Sequence, residues 1–497
     1  MITTVHSATL VGLGAYIISI EAEVVSGLAN FTIVGLPDTR VQEARERIRS
    51  AIKQSGLEFP YNFRITVNLA PADVRKEGTG FDVPIALTIL GKNLGLVIPK
   101  HALIAGELAL DGTIRGVRGV LAYALAARDA GITELYIPAD NCAEAGLVDG
   151  LDIYPIHSLR DLVGHFSSSG EGVRLTPYNS NASSTRTAPP APPAEVDFSQ
   201  IIGNAFAKRA LEIAAAGSHH LIMNGPPGTG KTMLARACAG ILPPLSQQEM
   251  IEVTQIYSAA GLLVTAGTPM YHRPFRSPHH SASASALVGG GRSVHPGELT
   301  LAHRGILFLD ELPEFQRPVL EQLRQPLEEG WIHVARAEHS HKFPAKFMLV
   351  AAQNPCPCGF ATDSVRECTC SHLEKRHYEK KISGPLLDRI DLFCEVVRTS
   401  VALLAAGAEH LETSAEIRTR VCAARSFALQ RQKLPDAALT PKVREQMVSA
   451  AEKLHLTARG FMRLVRVSRT IADLACSDEI TLGHASEALQ YRFTAHT

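Results

Sequence analysis

Three observations predict a multidomain α/β protein. At 497 residues the chain is too long for one hydrophobic core, so two to four domains are expected. Strand-like apolar runs alternate with amphipathic helical stretches for most of its length. One such run, "HLIMN", passes through "GPPGTGKT" directly into the helical stretch "TMLARACAGI". Strand, glycine-rich turn and helix in that order are the context of a phosphate-binding loop.

The elements follow in order. "FTIVGLP" and "FRITVNLAP" read as short strands, and between them "TRVQEARERIRSAIKQSG" puts Val41, Ala44, Ile48 and Ile52 on one helical face. Strands and helices alternate again through "HALIAGELALDGTIRGVRG", "VLAYALAARDAG" and "ELYIP", giving an α/β or α+β unit over 1–166. Residues 167–196 are rich in Ser, Pro, Ala, Asn and Thr without a hydrophobic period, the signature of a flexible linker. The stretch 197–398 is expected to be an α/β core, with strands at "HLIMN", "GILFLDE" and "FMLVAAQN". From 399 to 497 four helical stretches follow one another.

Composition excludes some classes. Lys plus Arg and Asp plus Glu are both 49, a formal net charge of zero, so any contact with nucleic acid needs a local basic patch. The N-terminus lacks a basic n-region, and no window approaches the roughly 18 uninterrupted apolar residues of a spanning helix. Nine cysteines, an odd number in a large chain, argue against a disulfide framework. A cytoplasmic protein without membrane attachment is expected.

In "GPPGTGKT", Gly225, Pro226, Pro227, Gly228, Thr229 and Gly230 would wrap phosphates with backbone N–H groups. Lys231 would neutralise the β and γ phosphates of ATP, and Thr232 would ligate Mg²⁺. "ILFLDEL" supplies the matching acidic strand end: Asp310 for Mg²⁺ and Glu311 to polarise an attacking water. Asn354, after "FMLVAAQ", either reads the γ phosphate or begins an Asn-Pro turn. Arg389 in "LLDRIDL" either pairs with Asp388 or Asp391 or reaches a neighbouring subunit's ATP. Behind Asn354 lie Cys356, Cys358, Cys368 and Cys370, two Cys-x-Cys pairs suited to a tetrahedral zinc site, with His372 and His377 as substitute ligands. Unliganded thiols are the alternative.

The segments "DFSQIIGNAFAKRALEIAAAGSHHLIMNGPPGTGKT", "FRSPHHSASASALVGGGRSVHPGELTLAHRGILFLDELPEF", "AAQNPCPCGF" and "SGPLLDRIDL" resemble the AAA+ ATPases of the clade of the magnesium-chelatase ATPase subunit and the MCM helicases. More closely, these and "RITVNLAPADVRKEGTGFDVPIAL" resemble the YifB/ComM family of Mg-chelatase-like proteins. The resemblance implies an N-terminal Lon-protease-like α+β domain, an AAA+ core and a C-terminal helical lid. It makes Asn354 a sensor of the γ phosphate, Arg389 an arginine finger acting in a homo-hexamer, and Arg459 the lid's sensor, with Arg463 one turn on. It also implies pore hairpins: "WIHVARA" and "FPAKFMLV" as strands with "EHSHK" as the turn. Arg273, Arg276, His279, His280, Arg292, Arg336, His341, Lys342 and Lys346 would then form a basic lining for DNA, sequence-indifferent and salt-dependent.

In the Lon-like domain, Gly80 and Phe81 stand where the nucleophilic Ser would fall and Leu121 stands near the Lys base, so proteolysis is not expected. Arg75 and Lys76 are candidate DNA contacts there. The implied function is an ATP-driven motor for branched or single-stranded DNA, a branch migration helicase of natural transformation with a recombinase partner. The alternative is a chelatase-type remodeller that inserts a metal into a macrocycle with a partner subunit. Against it stand the N-terminal domain and the cysteine insert, since likeness to the chelatase subunit is expected only over 200–497. Zinc removal is expected to weaken assembly before nucleotide chemistry.

Overall fold

The computed structural model describes residues 3–91, 93–168, 174–178, 195–263, 268–290, 295–335, 340–363, 365–400, 411–431 and 439–492. Its contacts divide the chain into two compact units, Met1–Ala188 with Gln247–Met270, and Pro189–Ser246 with Tyr271–Thr497. Most of the expected linker, and Arg292 and Arg336 of the expected basic lining, lie outside the described residues.

The first unit is built on a seven-stranded mixed sheet. Its strands run in the order Asn30–Val34, Phe63–Ala70, Gly14–Ser26, Thr3–Val11, Ala102–Ile104, Glu134–Pro138, Asp152–Ile156. The pair Thr3–Val11 and Gly14–Ser26 is antiparallel, as is Gly14–Ser26 with Phe63–Ala70; the remaining neighbours are parallel. Because side chains alternate across a strand, Ala102 and Ile104 enter one core while Leu103 and Ala105 enter another on the opposite face. The first core is covered by the Thr39–Gln54 helix, which buries Ala51 and the four residues its 3.6-residue period indicates, Val41, Ala44, Ile48 and Ile52. Asp38 caps it by accepting from the Val41 N–H at 2.8 Å. The Asp82–Gly91 helix is buried along its whole length, which explains why its sequence is apolar with no polar face.

Residues 247–270 lie in sequence within the stretch expected as nucleotide-binding core, yet they pack in this first unit. On the Gln247–Ala260 helix, Ser258 accepts from the Gly119 N–H at 3.0 Å and donates to Glu144, and Gln255 donates to the Leu13 carbonyl at 2.7 Å. From the expected linker, Leu175 N–H bonds His165 at 3.1 Å and Tyr178 N–H bonds the Ile153 carbonyl, holding 174–178 against the unit.

The second unit carries a five-stranded, all-parallel sheet in the order Phe275–Arg276, Ile306–Leu309, Met348–Gln353, Leu221–Asn224, Leu392–Glu395. The Leu221–Asn224 strand is flanked on both sides, so it is apolar and buried on both faces. The helices Ala205–Gly217 and Lys231–Ile241 share one core with the C-terminal helices, to which Val421, Met447, Leu464 and Ala488 contribute. Among the described residues the C-terminal helices are Ser414–Gln430, Pro441–Lys453, Ala458–Leu474 and Leu482–Gln490, which match the four helical stretches that periodicity indicates. No helix among the described residues is long and apolar enough to cross a membrane.

The hairpin differs from expectation. Trp331–Ala335 pairs with Ser340–Pro344, Trp331 opposite Pro344 and His333 opposite Lys342, so the return strand starts inside the expected turn. Pro344 has no N–H to continue the ladder, and "FMLV" belongs to the parallel sheet through Met348–Gln353.

Candidate functional site

The loop 225–230 joins the carboxyl end of the Leu221–Asn224 strand to the Lys231–Ile241 helix. Gly225 is required by close approach, since a Cβ there would lie 2.2 Å from the Val396 carbonyl oxygen. Gly228 and Gly230 take φ of +77° and +86°, the left-handed region that side chains disfavour. Thr229 closes the turn by donating to the Pro226 carbonyl at 2.9 Å. The helix N-terminus behind the loop adds unpaired N–H groups and a partial positive charge.

Lys231 is buried. Its Nζ donates to the carbonyls of Gly225 and Pro226, at 2.5 and 2.9 Å, and to Asn354 Oδ1 at 3.2 Å. Burial pulls its pKa down to about 8, against the opposing pull of Asp310 and Glu311. Thr232 Oγ1 donates to Asp310 Oδ2 at 2.8 Å, so hydroxyl and carboxylate converge as oxygen ligands for a hard cation. The other Asp310 oxygen accepts from the Glu311 N–H at 2.9 Å. Glu311 has φ of +51°, an uncommon conformation for a non-glycine residue, and its carboxylate is half exposed. Five residues called from sequence therefore meet: Lys231, Thr232, Asp310, Glu311 and Asn354.

The arginines are organised differently. Arg389 pairs with Glu328 and donates to the Pro385 carbonyl at 2.6 Å; Asp388 and Asp391 are not its partners in these bonds. Arg459 reaches the other Glu328 oxygen at 3.1 Å. Glu328 thus joins both arginines, and its pKa is lowered chiefly by the Arg389 hydrogen bond. Arg463 instead binds buried Asp391 at 2.6 Å and the Arg389 carbonyl. Burial would raise the Asp391 pKa, but the His219 hydrogen bond and the charges of His219, His220 and Arg463 hold it well below the usual range. Nothing in the local sequence marks Glu328, which lies 61 residues before Arg389.

Several residues expected to line a DNA channel have other partners. Arg276 makes a bidentate ion pair with Glu298, at 2.7 Å twice, and Arg273 donates to the carbonyls of Pro243, Arg304 and Pro244. His280 Nδ1 lies 3.4 Å from Glu311 Oε2, with the His279 ring 4.1 Å from its own. Lys76 is fully buried with Nζ on the Pro71 carbonyl, and burial lowers its pKa, which removes it as a DNA contact. On the hairpin, Ile332, Val334 and Phe343 face inward, whereas His333 and Lys342 are exposed opposite one another. His333 was not identified from sequence; the strand register alone puts it beside Lys342.

Cys356, Cys358, Cys368 and Cys370 form one cluster with all sulfurs within 4.8 Å, compatible with a bound zinc. His372 and His377 lie on the following helix, His372–Glu379, outside the group.

The parallel sheet, phosphate-type loop and acidic strand end define the second unit as a P-loop core of AAA+-like type. A family model described as "Magnesium chelatase, subunit ChlI" matches residues 197–404, and its C-terminal companion matches 411–492. A third, "Subunit ChlI of Mg-chelatase", matches 20–141, so likeness to chelatase-subunit models is not confined to 200–497 as expected. The chain is 41% identical over 505 residues to the protein YifB of Salmonella typhimurium, covering 98% of this chain and 96% of that one. It is 41% identical over 510 residues to the competence protein ComM of Haemophilus influenzae, covering 98% and 97%. The magnesium-chelatase 38 kDa subunit of Cereibacter sphaeroides is 25% identical over 331 residues, covering 59% of this chain and 91% of that one. The chain belongs to the YifB/ComM family of Mg-chelatase-like proteins.

Proposed function

We propose that the protein is an ATP-driven motor acting on branched or single-stranded DNA, assembled as a hexamer with nucleotide at subunit boundaries. The observation that carries this reading is the convergence of Lys231, Thr232, Asp310, Glu311 and Asn354 at the carboxyl edge of one parallel sheet. The loop amides and Lys231 would hold the phosphates, exchanging the carbonyls of Gly225 and Pro226 for phosphate oxygens. Thr232 and Asp310 fit Mg²⁺, which would neutralise phosphate charge when bound. Glu311 would take a proton from the attacking water, with His280 orienting its carboxylate. Asn354, already on the Lys231 amine, would report the γ phosphate to the strand that carries it.

Arg389 would act on a neighbouring subunit's nucleotide after leaving Glu328, and Arg459 would act from the C-terminal helices as a lid. The first unit would be a Lon-like platform without protease chemistry, because Phe81 and Leu121 are buried apolar residues and Gly80 has no side chain. Lys342 and His333 on the hairpin would contact the DNA backbone. The full-length likeness to the competence protein ComM supports branch migration in natural transformation, with a recombinase partner. The four thiolates would hold a structural zinc, and the protein would work in the cytoplasm. A chelatase-type remodeller is the second reading, favoured by the family models and weakened by the lower identity to the chelatase subunit, which matches only 59% of this chain.

The test is ATP hydrolysis by purified protein with single-stranded, duplex and forked DNA across a salt series. DNA stimulation that falls with salt, and unwinding of branched junctions, are expected. A hexamer that hydrolyses ATP but neither binds nor moves forked DNA overturns the motor reading, and metal insertion into a macrocycle with partner subunits would replace it.

A further inference from the structure

The cysteine cluster touches the nucleotide loop itself. A Cβ on Gly359, between Cys358 and Phe360, would lie 2.8 Å from Pro227 Cδ of the phosphate loop, and Gly359 has φ of +84°. Only glycine permits this approach. Asn354 Cγ lies 3.9 Å from the same Cβ position, the hydroxyl of Tyr378 on the His372–Glu379 helix accepts from the Asn354 backbone N–H, and Arg398 pairs with Asp363 at 2.7 Å. The Cys-rich loop is therefore fixed to the phosphate loop, to Asn354 and to the segment after the Leu392–Glu395 strand.

Its sulfurs have the spacing of a tetrathiolate. A tetrahedron with Zn–S bonds of about 2.3 Å has S···S edges of about 3.8 Å. Cys356–Cys358, Cys358–Cys368 and Cys356–Cys368 are 3.3, 3.6 and 3.7 Å apart. None is near the roughly 2.05 Å of a disulfide, and all four thiols are free. Backbone N–H groups of Phe360 and Ala361 point at Cys356, those of Phe360 and Thr369 at Cys358, and that of Cys358 at Cys370, 3.4 Å away. Such N–H···S bonds stabilise thiolates over thiols. The Arg366 guanidinium lies over the Phe360 ring within the same loop, 4.4 Å from its centroid.

We propose that Cys356, Cys358, Cys368 and Cys370 bind one Zn²⁺ and that the resulting knuckle, through Gly359, is a fixed wall of the phosphate loop, so that zinc occupancy governs nucleotide binding. The inference rests on the reading of that loop as a nucleotide site and deepens it. Four protein ligands leave no open position on the metal, so its role is to hold the wall rather than to catalyse. Without the metal, Cys368 and Cys370 are tied to the first pair only by weak sulfur contacts and the Cys358 N–H bond to Cys370, and the wall against Pro227 loosens. Zinc loss thereby acts on nucleotide binding directly.

Zinc per chain is measured by elemental analysis of full-length protein purified without chelator, and nucleotide affinity by titration with a fluorescent ATP analogue. About one zinc per chain is expected, together with about a tenfold or greater loss of affinity when a thiol-reactive mercurial expels the metal. Affinity should recover when excess dithiol and Zn²⁺ are added back. G359A keeps all four ligands and should keep its zinc while weakening nucleotide binding. K231A should keep its zinc and lose nucleotide, which separates the two sites. Less than about half a zinc per chain overturns the metal site. Full zinc loss with unchanged affinity overturns the wall. Zinc-replete protein that binds no nucleotide overturns the wall together with the nucleotide reading, while its zinc content still stands as a separate result.

Discussion

The first unit and the phosphate-type loop of the second bury ionisable groups in opposite ways. In the first, Asp82 is enclosed by Arg47 at 2.7 and 2.9 Å and by the Leu108 N–H, Glu144 by Ser258, Asn141 and the Leu121 N–H, and Lys76 by a backbone carbonyl. Each partner is fixed, and each group completes a packed structure. In the second unit Lys231 is also buried, but its acceptors line the loop proposed to hold phosphate, and beside it Asp310 is partly exposed and Glu311 exposed to solvent. Burial of charge alone therefore does not mark a site; exchangeable partners beside open carboxylates do.

Substitution should separate the units most sharply at the nucleotide site. K231A and E311Q are each expected to lower ATP hydrolysis on the order of a hundredfold or more, with thermal unfolding of the protein nearly unchanged, as checked by steady-state ATPase and calorimetry. R47A should do the converse. Asp82 would be left buried without its cation, which costs about 3 kcal/mol or more, read as a lowered denaturation midpoint while nucleotide affinity in the folded protein persists.

Titration should also divide the units. Burial raises Asp82 to about 6 from its ordinary value of 3.8. The folded state thus favours the protonated form, and this contribution to stability, full below about 4, is lost as pH rises through about 6. The slope of stability against pH in that window should shrink in D82N. Lys231 is shifted down to about 8, so its charge fades above that pH, and nucleotide affinity should fall as pH rises from about 7 to 9. Finding no such fall in a fluorescence titration would show that Lys231 stays charged in the loop.

The smallest effect is expected at Glu328, exposed enough that its ion pairs contribute roughly 1 kcal/mol or less to stability. E328Q should leave the melting temperature nearly unchanged yet alter ATPase cooperativity by freeing Arg389 and Arg459. Unchanged cooperativity would leave Glu328 a surface pairing without a role in the cycle.

Local chemistry by itself determined a good deal of this protein. The amphipathic period of Thr39–Gln54, the four C-terminal helices, the strand ahead of "GPPGTGKT" and the acidic end of "ILFLDEL" were all legible, because each depends on residues within a turn or two of one another. The four cysteines were legible for the same reason, as spacing. Tertiary structure decided who meets whom. Glu328 rather than Asp388 or Asp391 holds Arg389, His280 faces Glu311, Ser340–Pro344 sets the hairpin register, Gln247–Ala260 joins the first unit, and Gly359 lies on Pro227. These contacts join residues far apart in sequence, where periodicity carries no information and only the packing of whole elements selects a partner.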